Sequence, residues 1–155
     1  MPKLLRFFLL LIAFSFPLFW FWMEWGQTGY QKLMGAVIVP AAKALGEKEL
    51  NLFVLKAHYI NAVPLVALIL ATPAFGWKKR LAALAFGVVF LFAWHLFFSL
   101  VLNHYQTLWG RDRRFYRLFI PAISINSAVP VILWLVLAWQ GAKELLGEIF
   151  ARPKE

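Results

Sequence analysis

Residues 81–102 read LAALAFGVVFLFAWHLFFSLVL, an apolar stretch without Asp, Glu, Lys or Arg. A helix needs about 20 such residues, at about 1.5 Å each, to cross the roughly 30 Å hydrocarbon core of a bilayer. Backbone polar groups in lipid must pair within the segment, and the stretch lacks the alternation of a barrel strand. It therefore predicts a transmembrane helix.

The composition places the whole chain in the same class. Hydrophobic residues make up 63% of the chain and charged residues only 15%, against about 25% charged residues in a soluble domain. There is no cysteine, which excludes thiol catalysis, iron–sulfur ligation and disulfides. The net charge of +9 would indicate nucleic acid in a soluble protein. Here the basic residues flank apolar runs, so anionic lipid headgroups account for them, and we expect no nucleic-acid partner.

Three further apolar runs, at residues 4–22, 59–75 and 120–139, complete a prediction of four transmembrane helices. We expect an all-α polytopic membrane protein with a single membrane domain over residues 1–155. The stretch 23–58 is expected to be an exported loop, with a short interfacial or re-entrant helix at 33–45. Basic residues are equally frequent on the two predicted sides. Lys3 and Arg6 flank the first helix, which favours both termini in the cytoplasm of a bacterial inner membrane.

One phrase occurs near the start of the second run and again in the fourth, as Asn61-Ala62-Val63-Pro64 and as Asn126-Ser127-Ala128-Val129-Pro130. Asn and Ser are good N-caps, and Pro in a first turn sacrifices no hydrogen bond, so the favoured interpretation is two helix starts. The alternative is an internal repeat, in which Asn61 and Asn126 face each other across a bundle, as in transporters.

A polar stripe is predicted on the third helix if it continues past residue 102. His95, Ser99, Asn103 and Gln106 then share one face, which should point at other helices because polar groups facing lipid are costly. Structural hydrogen bonding is the favoured role, and a ligand, metal or proton-relay role is the alternative. His104 is roughly 13 Å along a helix from His95, so we expect neither a metal site nor a cofactor.

Residues 111–117, RDRRFYR, form the most informative charged motif. Arginine binds phosphate and carboxylate through a rigid fork. The motif is therefore either an anchor on lipid headgroups or a docking surface for an acidic partner or an anionic lipid-linked substrate. Its candidate binding residues are Arg111, Arg113, Arg114, Tyr116 and Arg117. The sequence contains no phosphate loop, catalytic triad or zinc motif, so we expect no catalytic residues and no enzyme activity.

Several features follow one another from residue 61 to residue 95, namely Asn61-Ala62-Val63-Pro64, Thr72-Pro73, Trp77-Lys78-Lys79-Arg80, Gly87 and His95. In this order they resemble the small membrane proteins associated with exosortases, of the exosortase H-associated type. The resemblance implies a non-catalytic accessory role in an envelope protein-sorting system, beside a transpeptidase-like membrane enzyme. Exosortases themselves use a Cys, which this chain lacks.

Two other classes remain open on the sequence alone. One is a small structural subunit of a respiratory or photosynthetic complex, in which His95 would ligate a pigment or haem. The other is a small transporter or lipid-handling protein built on the repeated phrase. In all three cases we expect the partners to be membrane lipids and other membrane protein subunits.

Overall fold

The structure is a computed structural model that describes residues 3–46, 62–73 and 75–150. Within these ranges the chain is all-helical and has no strand. The helices are α1 (Lys3–Phe21), α2 (Gln27–Ala44), α3 (Ala62–Ala71), α4 (Trp77–Trp109), α5 (Arg113–Leu137) and α6 (Trp139–Phe150).

Three of the described helical segments are long and apolar enough to cross a membrane, namely Lys3–Ala44, Trp77–Trp109 and Arg113–Leu137. They indicate a multi-pass membrane protein, which confirms the predicted class at this level. The predicted second span is described only from residue 62. Its helix, α3, is shorter than a full crossing, and the predicted start at residue 59 lies outside the described residues.

The predicted end of the first helix at residue 22 is wrong. α1 continues through a π-helical turn, Trp22–Gly26, directly into α2. Polar residues such as Glu24 and Gln31 interrupt the apolar run without ending the helix, and Pro17 and Pro40 both lie inside it. The interfacial or re-entrant helix predicted at 33–45 is therefore the last part of this continuous helix. Residues 47–58 of the predicted loop lie outside the described residues.

α3 lies between the longer helices and is antiparallel to α1 and α4. Phe7, near the start of α1, packs near Ala71 at the end of α3. Phe16 and Phe19, near the end of α1, border the same groove as Val63, near the start of α3. α4 then runs antiparallel to α5. The core that joins these helices is built on the buried side chains of Leu65, Ile69, Ala83, Leu91 and Leu133.

The connection predicted at residues 103–119 is largely helical. α4 extends to Trp109, and the turn comprises only Gly110, Arg111 and Asp112. Gly110 has a φ of 63°, a backbone conformation that favours glycine. Since α5 begins at Arg113, Asn126 lies well inside a helix. The interpretation of the second repeated phrase as a helix start is therefore wrong.

The last helix, α6, is a feature that the sequence analysis missed. Gly141, Ala142 and Leu145 are buried along one side of it, and the Nζ of Lys3 lies 2.8 Å from a carboxylate oxygen of Glu144. The apolar residues recur at the spacing of an amphipathic helix, which is the signal that could have revealed it. α6 thus covers the same end of the bundle as the start of α1.

Candidate functional site

The polar stripe of α4 faces the inside of the bundle. His95, Ser99 and Asn103 are 0%, 1% and 4% exposed, and Gln106 is half-buried one turn further on. Their spacing puts all four on one face of the continuous helix. The structure therefore brings the predicted stripe together on one inward face.

His95 is held by α2. The Tyr30 hydroxyl and His95 Nδ1 share a hydrogen bond of 2.7 Å, and the two rings meet edge to face with centroids 5.8 Å apart. Tyr30 also contacts the ring of Phe92. A buried imidazole needs such a partner because an unsatisfied polar atom in a bundle is costly.

Asn126 takes part in a second polar contact, between α4 and α5. Trp94 Nε1 donates a hydrogen bond of 2.8 Å to Asn126 Oδ1, and Asn126 is 1% exposed. Trp94 directly precedes His95, so the two side chains leave α4 on different sides, toward α5 and α2. Asn61 lies outside the described residues, and the predicted pairing of Asn61 with Asn126 stays a prediction.

Thr72 forms a third polar contact, which the sequence analysis missed. Its Oγ1 accepts a hydrogen bond from Trp134 Nε1 at 2.8 Å and donates one to the Leu68 carbonyl at 2.7 Å. Arg80 Nη2 donates to the Thr72 carbonyl at 2.9 Å. The contact joins α3, α4 and α5 at this end of the bundle. The sequence signal for it was the Thr72-Pro73 pair, which can end a helix, close to the basic residues 78–80.

The RDRRFYR motif forms the start of α5 at the opposite end of the bundle. Asp112 is the N-cap: its Oδ1 accepts from the backbone N–H groups of Arg114, at 2.7 Å, and Phe115, at 3.1 Å. Phe115 is 2% exposed and packs on Phe98 and Leu102 of α4. The acid of the motif therefore caps the helix, and its first aromatic ring anchors it.

The remaining side chains of the motif point outward. We call them the arginine surface, which comprises Arg111, Arg113, Arg114, Tyr116 and Arg117, all exposed. In the part of the chain that the structure describes, no ion pair engages Arg113, Arg114 or Arg117. Because Phe115 packs at the level of Leu102, the surface lies where the apolar stretches of α4 and α5 end.

The described His, Asp and Glu side chains include no group of three or more that could hold a metal ion. What the arrangement offers chemically is a set of buried hydrogen bonds between helices and, at one end, several guanidinium forks open to carboxylates or phosphates. Comparison with protein-family models, with curated proteins and with solved structures found no match to this chain.

Proposed function

We propose that this chain is a non-catalytic accessory integral membrane protein of an envelope protein-sorting (exosortase-type) system, which holds its partner through the arginine surface. It crosses a bacterial inner membrane four times, by the continuous helix of α1 and α2 and by α3, α4 and α5, and both of its termini are cytoplasmic. The assignment to a sorting system rests on the resemblance of residues 61–95 to exosortase-associated proteins.

The exposure of the arginines on a capped turn is the observation that carries the docking role. Asp112 caps the helix through Oδ1, and within the described residues no ion pair joins it to Arg113, Arg114 or Arg117. Phe115 fixes the turn against α4, which lowers the entropy that ordering this backbone on binding would cost. Guanidinium groups on a turn held in this way suit a partner that presents carboxylates or phosphates.

The packing of α3 supports the four-span topology. Leu65 and Ile69 of α3 are fully buried in the core shared with α4 and α5, so α3 belongs to the same layer as the spanning helices. The ion pair between Lys3 and Glu144 supports the placement of both ends of the chain on one side. A chain that crosses the membrane an even number of times likewise has both of its ends on one side.

The docking role is tested by co-purifying the chain with a co-expressed exosortase-type transpeptidase. Arg111, Arg113, Arg114 and Arg117 are all replaced by Gln, which keeps polarity and removes four positive charges. The matched control replaces Arg6, Lys78, Lys79 and Lys143 by Gln, which also removes four positive charges, because these side chains are exposed at the other end of the bundle.

The arginine variant should lose the partner at physiological salt, while the control variant retains it. Both should insert into the membrane at the level of the unaltered chain. Retention of the partner by the arginine variant would contradict the docking role. Loss of the partner in both variants would mean that total charge, and not this surface, holds the complex.

A further inference from the structure

The outward face of the continuous helix α1–α2 carries a second polar stripe, distinct from the one on α4, at an unexpected depth. Glu24, Thr28 and Lys32 recur every four residues and are all exposed, so they follow one side of the π-helical turn and the start of α2. Within the described residues, no hydrogen bond or ion pair engages Glu24 or Lys32.

Contacts on the inward face fix the depth of this stripe. Trp22 packs on Tyr30 with ring centroids 5.5 Å apart, and Tyr30 contacts Phe92 and His95 of α4. Both α4 residues lie near the middle of the apolar stretch 81–102. Glu24 and Thr28 lie between Trp22 and Tyr30, and are therefore at mid-depth in the bilayer. A carboxylate that faced acyl chains there would be strongly disfavoured, so another polar surface must cover it.

Gly29 lies beside this face and leaves room for another helix to come close. It is exposed, and a Cβ added to it would meet nothing within 4 Å, so no contact within the chain requires a glycine. Glycine weakens a helix relative to alanine. In membranes, small residues commonly mark places where the backbones of two helices come close.

We propose that the face of Glu24, Thr28 and Gly29 is the interface of a homodimer, in which a second copy of this chain packs about a two-fold axis along the membrane normal. Two copies inserted in the same direction bring each residue to the depth of its equivalent. A second copy therefore supplies polar groups at the one depth where they are needed. This inference does not depend on the arginine surface.

If the two helices come closest at Gly29, which has no side chain, the two-fold axis lies beside Thr28. The Glu24 carboxylates then lie on either side of the axis, each about 6 Å along the helix from the level of Thr28. That offset lets each Glu24 accept a hydrogen bond from the Thr28 hydroxyl of the other copy. Lys32 lies about 12 Å beyond Glu24, nearer the arginine surface, and its long side chain extends toward the headgroups.

Cysteine cross-linking tests the interface directly because the chain has no cysteine of its own. Thr28→Cys is compared with Val89→Cys, since Val89 is 68% exposed on α4, near mid-depth and on a different helix from the stripe. Both variants are reconstituted at low density in phosphatidylethanolamine–phosphatidylglycerol vesicles and oxidised. We expect a disulfide-linked dimer with Thr28→Cys and none with Val89→Cys. No cross-link at position 28, or equal cross-linking at both positions, would overturn the proposal.

Association measured by Förster transfer in the same vesicles gives a second, independent readout. Gly29→Leu should weaken association at least about tenfold, because it blocks the close approach of the helices. Ala93→Leu, which enlarges a small exposed residue on α4, should leave association unchanged. Glu24→Gln should keep the dimer, since an amide still accepts the hydrogen bond, whereas Glu24→Leu should weaken it. Helix content measured by circular dichroism identifies a variant that fails to fold. If folded Gly29→Leu associated as strongly as the unaltered chain, the homodimer would be excluded.

Discussion

Each buried polar side chain with a described contact binds a residue of a different helix. Tyr30 and His95 join α2 to α4, and Trp94 and Asn126 join α4 to α5. Packing of apolar side chains alone selects a helix register weakly in lipid, because acyl chains are as apolar as leucine. These hydrogen bonds have specific geometry, so they fix which faces of the helices meet.

The contact between Trp94 and Asn126 can be tested by a double-mutant cycle. Asn126→Leu removes the acceptor and leaves a buried indole N–H, which should lower the free energy of unfolding by about 1–2 kcal/mol. Trp94→Phe removes the donor. In the double variant neither group is left unpaired, so its loss of stability should be smaller than the sum of the two single losses.

The measurement is reversible unfolding in mixed detergent micelles, followed by circular dichroism. Trp77→Phe, at an exposed position on the same helix, reports the effect of shrinking an indole to a phenyl ring where this hydrogen bond is not involved. A coupling energy of zero between the two positions would show that the contact contributes nothing specific.

At the scale of elements, apolar periodicity predicted where helices cross the bilayer but not where they begin and end. The stretch 81–102 lies within α4, yet α4 continues to Trp109 because no helix breaker comes before Gly110. The same holds at Trp22, where Glu24 ended the apolar run but not the helix. A hydropathy pattern indicates where the surroundings of a helix change from lipid to water, whereas caps and glycines determine where the helix ends.

The polar contacts were predictable only in part, for a related reason. The spacing of His95, Ser99 and Asn103 predicted a shared inward face. Which residues would meet it depended on helix register, and a single sequence gives no information on that. The role of Asp112 was missed because an acid among arginines was interpreted by its charge and not as an N-cap. Pro130 led to the opposite error, because it was interpreted as part of a helix start. A long helix in lipid continues past a proline, since its other backbone groups cannot exchange their hydrogen bonds for water.

The docking of α6 on α3 depends on one glycine. A Cβ on Gly141 would clash with Thr72 Cγ2 and would lie 3.1 Å from the Pro73 carbonyl oxygen, and a backbone atom cannot move aside as a flexible side chain would. Gly141→Ala should therefore lower the free energy of unfolding by about 1–3 kcal/mol. Protease accessibility of the C-terminal helix in micelles should increase with it.

Gly147 provides the matched control for this substitution. It lies in the same helix, and an added Cβ would meet nothing within 4 Å. Gly147→Ala should leave α6 docked and raise its helix stability by about 0.5–1 kcal/mol, because alanine is the better helix former. Equal protease sensitivity in the two variants would refute the close packing at Gly141.

At the scale of the whole molecule, both ends of the bundle are basic, so the distribution of charge alone does not determine which end faces the cytoplasm. Lys78 and Lys79 are exposed at the start of α4, beside Lys3 and α6, and the arginine surface lies at the far end. The positive-inside rule then favours neither side by number. The proposed cytoplasmic position of the Lys78 end rests on Lys3 and Arg6, which flank the first helix, because the first helix usually dominates the orientation.

Single cysteines can determine this orientation on a chain that has none. With four crossings and cytoplasmic termini, Lys78→Cys and Gln140→Cys should react with a membrane-impermeant maleimide only from the cytoplasmic side. Arg113→Cys should react only from the outer side. All three residues are exposed and lie outside the apolar stretches, so low reactivity through burial is not expected. Labelling of positions 78 and 140 from opposite sides would contradict the shared end that Lys3 and Glu144 define. Labelling of all three with the sides exchanged would retain the bundle and invert it, so that the arginine surface would meet a cytoplasmic partner and follow the positive-inside rule.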